Sequence, residues 1–167
     1  MRVRGYDVSF TAAVAYSSLG WFDDPLLDTM LGDDEALLAA TIVHEMAHQQ
    51  LYVKGDAAFS EGFAVFVEEK ALESWFEKQG NAEELGRWRA SRQTSLRFSA
   101  FLLEQRQGLQ ELYSRDLPEA EMRTLKEAAL SRMETRYHVM VETEWNGKDF
   151  YAGWFEKELN NARLALV

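Results

Sequence analysis

The sequence predicts a mainly α-helical chain, α+β in class, with short N-terminal β-strands followed by about five helices. Three observations carry this. Apolar residues recur by threes and fours in long segments, as in Phe63, Phe66, Val67, Ala71, Leu72, Trp75 and Phe76. Residues that start and stop helices bracket those segments. Only the front, from Tyr6 to Tyr16, has the Val, Phe, Tyr and Thr enrichment of strands.

Taken in order, residues Tyr6 to Tyr16 read as one or two short strands. Gly20 to Pro25 reads as a turn or loop, and Leu26 to Leu31 as a short helical turn closing at Gly32. Asp33 or Asp34 can cap the first long helix, which is expected to run to about Val53, with Gly55 just past its end. Leu37, Leu38, Ile42, Met46 and Leu51 supply its apolar positions. Ser60 can cap a second helix that continues through Gln79 and stops at Gly80. Asn81 can open a third, long helix, whose candidates for burial include Leu85, Trp88, Leu96, Phe98, Leu102, Leu109 and Leu112. Asp116-Leu117-Pro118-Glu119 is a start signal, with Asp as the cap and Pro in the first turn. The fourth helix then runs toward Trp145, is broken by Asn146-Gly147, and a last helix covers roughly Phe150 to Leu166. There are no repeats, low-complexity tracts or linkers. The chain reads as a single domain, 1–167, with a strand region at 1–31, a metal-binding helix pair at 32–80 and a helical remainder at 81–167.

Composition narrows the function. The 167 residues are 47% hydrophobic, with five Trp, ten Phe and six Tyr, enough for a packed core. A net charge of -10 and the lack of any basic stripe argue against a nucleic-acid partner. There is no cysteine, so a Cys-ligated zinc site and a disulfide framework are both excluded. No stretch approaches the roughly 18 apolar residues of a membrane span.

The motif that carries chemistry is His44-Glu45-Met46-Ala47-His48, an H-E-x-x-H pattern inside the first long helix. A spacing of four is about one helical turn, so both imidazoles stand on one face and can grip one metal ion. Glu45 lies beside them, where it can take a proton from a metal-bound water. Two of the three histidines of the chain are spent here. Ile42, Val43, Met46 and Ala47 make the stretch too apolar for a solvated face. A catalytic zinc needs three protein ligands and an open position. With no Cys, the third ligand must be a carboxylate or His138. Glu61 is the best candidate: it starts the second helix after a loop of suitable length, and Gly62 removes bulk beside it.

Phe59-Ser60-Glu61-Gly62-Phe63-Ala64-Val65-Phe66-Val67-Glu68 resembles the Asn-Glu-Gly-Phe-Ala motif of alanyl-aminopeptidase-type gluzincins. A wider match covers almost the whole chain. His44 to Asp56 and Ala15-Tyr16-Ser17-Ser18-Leu19-Gly20-Trp21-Phe22-Asp23-Asp24-Pro25 are similar to the predicted bacterial aminopeptidase family. That resemblance implies a zincin-like metallopeptidase catalytic region that binds zinc and hydrolyses peptides, with His44, His48 and Glu61 as ligands and Glu45 as base. It also implies longer parent proteins with an export or lipoprotein signal, hence a truncated catalytic region and a bacterial cell-envelope or periplasmic location. In gluzincins a strand ahead of the metal helix binds substrate backbone, and Val8 to Tyr16 is placed for this, with Val14, Ala15 and Tyr16 as the substrate-binding residues.

Supporting roles follow from the chemistry. A ligand histidine usually donates its second ring N–H to a carboxylate, and Asp56 is the expected partner, with Glu68 also able to approach. A developing oxyanion needs a donor besides the metal, and Tyr137, His138 and Tyr151 are the candidates. The competing readings are a non-catalytic, zinc-stabilised helical binding domain, an inactive truncated peptidase, and a helical interaction module without metal.

Overall fold

A computed structural model describes residues 2–3, 6–9, 35–156 and 159–165. Its described residues are mainly helical and fall into two compact units, Ala12–Gln93 and Met1–Thr11 with Thr94–Val167.

The first unit is built on a helix pair. Helix α1 spans Glu35–Gln50, with an acidic residue in its first turn where the helix dipole favours it. The expected caps Asp33 and Asp34 lie outside the described residues. The helix stops three residues before Val53 because the Val53 N–H donates to Ser60 Oγ at 3.0 Å instead of to a helical carbonyl. Gly55 then turns the chain at φ +91°, a left-handed conformation suited to glycine.

Helix α2 spans Ala57–Gln79, one turn longer at its start than the sequence suggests. Its cap is Asp56, whose Oδ1 accepts the Phe59 N–H at 3.0 Å, and not Ser60. Ser60 is instead fully buried inside the first turn. Gly80 ends the helix at φ 68°, with the Gly80 N–H on Glu77 O and the Asn81 N–H on Phe76 O, both at 3.1 Å. This is a Schellman ending, as the stop signal predicts. Helix α3, Ala82–Tyr113, opens where Asn81 Oδ1 accepts the Glu84 N–H at 3.2 Å. Ala40, Leu72, Phe76 and Leu85 form the core here, flanked by Ala36, Ala39, Trp75 and Trp88.

The second unit holds the rest of α3, helix α4 at Glu119–Glu144, and two four-residue helices, α5 at Ala152–Phe155 and α6 at Asn161–Leu164. Helix α4 starts with Pro118 at its cap position and no side-chain cap, so the expected Asp116 cap is not used. Pro118 lends only its carbonyl, which accepts the Met122 N–H at 2.9 Å. The break after Trp145 is as expected: Asn146 and Gly147 take φ 52° and 77°. The single tail helix over Phe150 to Leu166 is not observed. Asn160 turns extended, and its Oδ1 caps a separate turn by accepting the Arg163 N–H at 3.0 Å. Phe98, Phe101, Leu102, Leu109, Met133 and Tyr137 lead the core of this unit. Leu96, expected inside, is 47% exposed.

The N-terminal strand region differs from expectation. Among the described residues the β pairing is limited to two antiparallel two-residue segments, β1 at Arg2–Val3 and β2 at Tyr6–Asp7. Val8 and Ser9 have no regular structure, and residues 10–34 lie outside the described set. Short Val-rich runs form strands only when a partner edge is present, and local composition does not specify one. The pair is tied to its own unit by Lys126 on Asp7, by the Asn161 N–H donating to Asp7 Oδ2 at 3.1 Å, and by Asn160 Nδ2 donating to Val8 O at 3.2 Å.

Candidate metal centre

One helical turn separates His44 from His48 on α1, and their rings meet edge to face with centroids 4.9 Å apart. Their Nε2 atoms turn toward Glu61 at the start of α2. His44 Nε2 is 3.4 Å from Glu61 Oε2, and His48 Nε2 is 3.4 Å from Glu61 Oε1. The carboxylate thus straddles both rings. The three side chains place one ligand atom each within 4.8 Å of one another, a group that could hold a metal ion.

The spacing is one that a shared ion could bridge. A nitrogen-to-oxygen separation of 3.4 Å is long for a charge-assisted hydrogen bond. Donors about 2.1 Å from a common tetrahedral centre stand about 3.4 Å apart by geometry. The donor set of two imidazoles and one carboxylate also suits zinc, and it leaves a further position for a small molecule. Glu61 is 60% exposed, so the site opens to solvent, whereas His48 is buried. A Cβ on Gly62 would meet nothing within 4 Å, so this position faces open space.

The outer contacts are asymmetric. His44 Nδ1 lies 3.1 Å from Glu68 Oε2. A carboxylate only accepts, so Nδ1 is the donor in this contact, and Nε2 is the ring nitrogen that faces Glu61. Glu68 sits seven residues after Glu61, two helical turns along the same face of α2. Asp56, the expected partner, is occupied by the cap of α2. Glu68 was the weaker candidate from the sequence, and the seven-residue spacing is the signal that favours it. His48 Nδ1 is buried and has no hydrogen-bond partner among the described residues.

Glu45 is half-buried on the same turn, and no hydrogen bond or ion pair engages it among the described residues. Its carboxylate is therefore free to meet a water. Tyr52, in the stretch after α1, stands edge to face with His48, ring centroids 6.0 Å apart. The sequence reading passed over it, although His44, His48 and Tyr52 are spaced by fours.

Tyr137, His138 and Tyr151 belong to the other unit. Tyr137 is fully buried and donates to Asp149, and its oxygen accepts the Tyr151 N–H at 3.1 Å. Burial first, then the hydrogen bond to Asp149, pushes its hydroxyl well above the ordinary phenol range. Its ring stacks on Phe155 at 4.0 Å. His138 is exposed beside it, and Tyr151 stacks on Phe98 at 3.9 Å. Val14, Ala15 and Tyr16 lie outside the described residues.

The Tyr137 network makes a stability prediction. Tyr137→Phe keeps the ring packing but removes both hydrogen bonds, and is expected to cost about 1–3 kcal/mol in denaturant unfolding. The raised phenol also has a pH signature. Below about pH 10 both states keep the proton and stability does not change. Above it the unfolded phenol ionises first, the folded state binds more protons, and stability falls with pH. The Phe variant should lack that alkaline component.

A family model described as "Putative aminopeptidase" matches residues 1–167. No curated protein and no solved structure matches the chain.

Proposed function

The chain belongs to this family of putative aminopeptidases, and from that membership we propose that it is a zinc-dependent metallopeptidase. His44, His48 and Glu61 hold the ion, and Glu45 is the general base. The observation that carries this is the pair of 3.4 Å separations between the two Nε2 atoms and the two oxygens of Glu61. When bound, zinc supplies Lewis acidity, polarising a carbonyl and lowering the pKa of water.

The chain's own residues do the rest. Glu45 takes a proton from the attacking water and delivers it to the leaving amine, as one carboxylate can do in sequence. Glu68 fixes the tautomer and the plane of the His44 ring, so that Nε2 is presented without reorganisation. The buried His48 and half-buried His44 form the dry wall of the site, and Glu61 forms its wet rim. A peptide is the substrate this chemistry serves. Glu61 is 60% exposed, so a peptide would enter from the solvent side of this unit.

The test is elemental analysis of protein purified without chelator, joined to a screen of aminoacyl-fluorophores and internally quenched peptides. Stoichiometric zinc and hydrolysis that a chelator abolishes and zinc restores are expected. Which substrate set is cleaved decides exo- against endopeptidase action. Zinc without hydrolysis of either set would make the ion a structural staple, and absence of any bound metal would overturn the proposal outright.

A further inference from the structure

We propose that Tyr52 is a catalytic residue that donates a hydrogen bond from its phenol to the carbonyl oxygen of the bound substrate. The inference rests on the peptidase reading above and adds to it the group that stabilises negative charge as that oxygen develops it.

Three observations converge. The first is position. The Tyr52 ring meets the ring of His48 edge to face at 6.0 Å, with 73° between the planes, so its ring lies against one of the candidate ligands. The second is availability. Tyr52 is 48% exposed, and no hydrogen bond uses its hydroxyl among the described residues. Two other described phenols are engaged: Tyr137 donates to Asp149, and Tyr113 donates to Asn161 Oδ1 at 2.8 Å. Its ring lies against a candidate ligand, and its hydroxyl is uncommitted among the described residues.

The third observation is rigidity. A donor works as an oxyanion stabiliser only if it is held in place before the charge appears. The segment carrying Tyr52 is pinned at both sides. The Leu51 N–H donates to Ala47 O at 3.0 Å, which fastens it to α1. The Val53 N–H donates to Ser60 Oγ at 3.0 Å, and Ser60 Oγ donates to Asp56 O at 2.9 Å. Ser60 is fully buried and immediately precedes Glu61. The residues flanking Tyr52 are thus fixed to the two helices that carry the ligands. No proton leaves the phenol: it donates a hydrogen bond that shortens as the carbonyl oxygen becomes negative.

The test is Tyr52→Phe in the zinc-loaded protein, with two readouts. One is turnover of the best peptide from the screen. The other is calorimetric binding of a peptidyl phosphinate, whose tetrahedral oxygens mimic the developing charge. A fall of about 100-fold in kcat with little change in KM is expected, together with about 10- to 100-fold weaker phosphinate binding. Zinc content and melting temperature should match wild type. If the variant turns over peptide and binds phosphinate as wild type does, the Tyr52 assignment is overturned while the peptidase reading stands. If the wild-type protein neither cleaves peptide nor binds phosphinate, the peptidase reading falls and takes this proposal with it.

Discussion

Glu45→Gln is expected to leave the zinc content intact and to lower peptide hydrolysis by about 10³-fold or more, within the range that a positioned general base contributes. Glutamine keeps the size and the hydrogen-bonding reach of the side chain but cannot accept a proton at neutral pH. The structure favours a clean result. Glu45 is half-buried on α1 and makes no hydrogen bond or ion pair to another side chain, so the substitution removes a base without breaking such a bond among the described residues. Initial rates on a quenched peptide, with elemental analysis of the same sample, check it. Wild-type turnover by the Gln variant would remove Glu45 from the mechanism.

Glu61→Ala is expected to produce the largest loss of metal binding. It leaves two imidazoles where three protein ligands are needed for a catalytic ion. Zinc affinity should fall by more than about 100-fold, the upper end of what loss of an outer partner costs. Glu68→Gln removes only that outer partner of His44, and about 10- to 100-fold is expected. Thermal shift gives a second readout. Zinc at about 100 times its Kd should stabilise the wild-type fold by about 2.7 kcal/mol, and Glu61→Ala should lose that gain. The metal-free variant should melt much like the metal-free wild type, because Glu61 is 60% exposed and its loss costs the core nothing. Equal zinc affinity in wild type and Glu61→Ala would mean that the carboxylate faces the rings without binding the ion.

The parts of this site that were legible in the sequence are those fixed by local periodicity. His44 and His48 share a face because one turn of α1 separates them, and no tertiary information is needed for that. The stop at Gly80 and the break at Asn146-Gly147 were legible for the same reason: left-handed backbone selects a few residue types. Where two roles compete for one residue, the sequence misleads. Asp56 can orient a histidine or cap a helix, and it caps because α2 begins one residue later. Ser60 can cap a helix or hold a loop, and its burial makes it hold the loop. Glu68 became the partner of His44 through the packing of α2 against α1, which only its spacing from Glu61 foreshadows. The tail failed differently. Its apolar pattern suits one helix, but Asn160 offers the backbone a competing bond and divides it.

The hold of Ser60 on Val53 has a consequence for how this corner can evolve. Each residue of an α-helix advances the side chain by about 100° around the axis. A single insertion or deletion between His48 and Glu61 would either detach the clamp or swing the acidic ligand to another side of its helix. Surface connections ordinarily absorb changes of length, but this one is a ruler. Sequence drift in it should proceed by substitution alone, with the interval from the second histidine to the acid held constant.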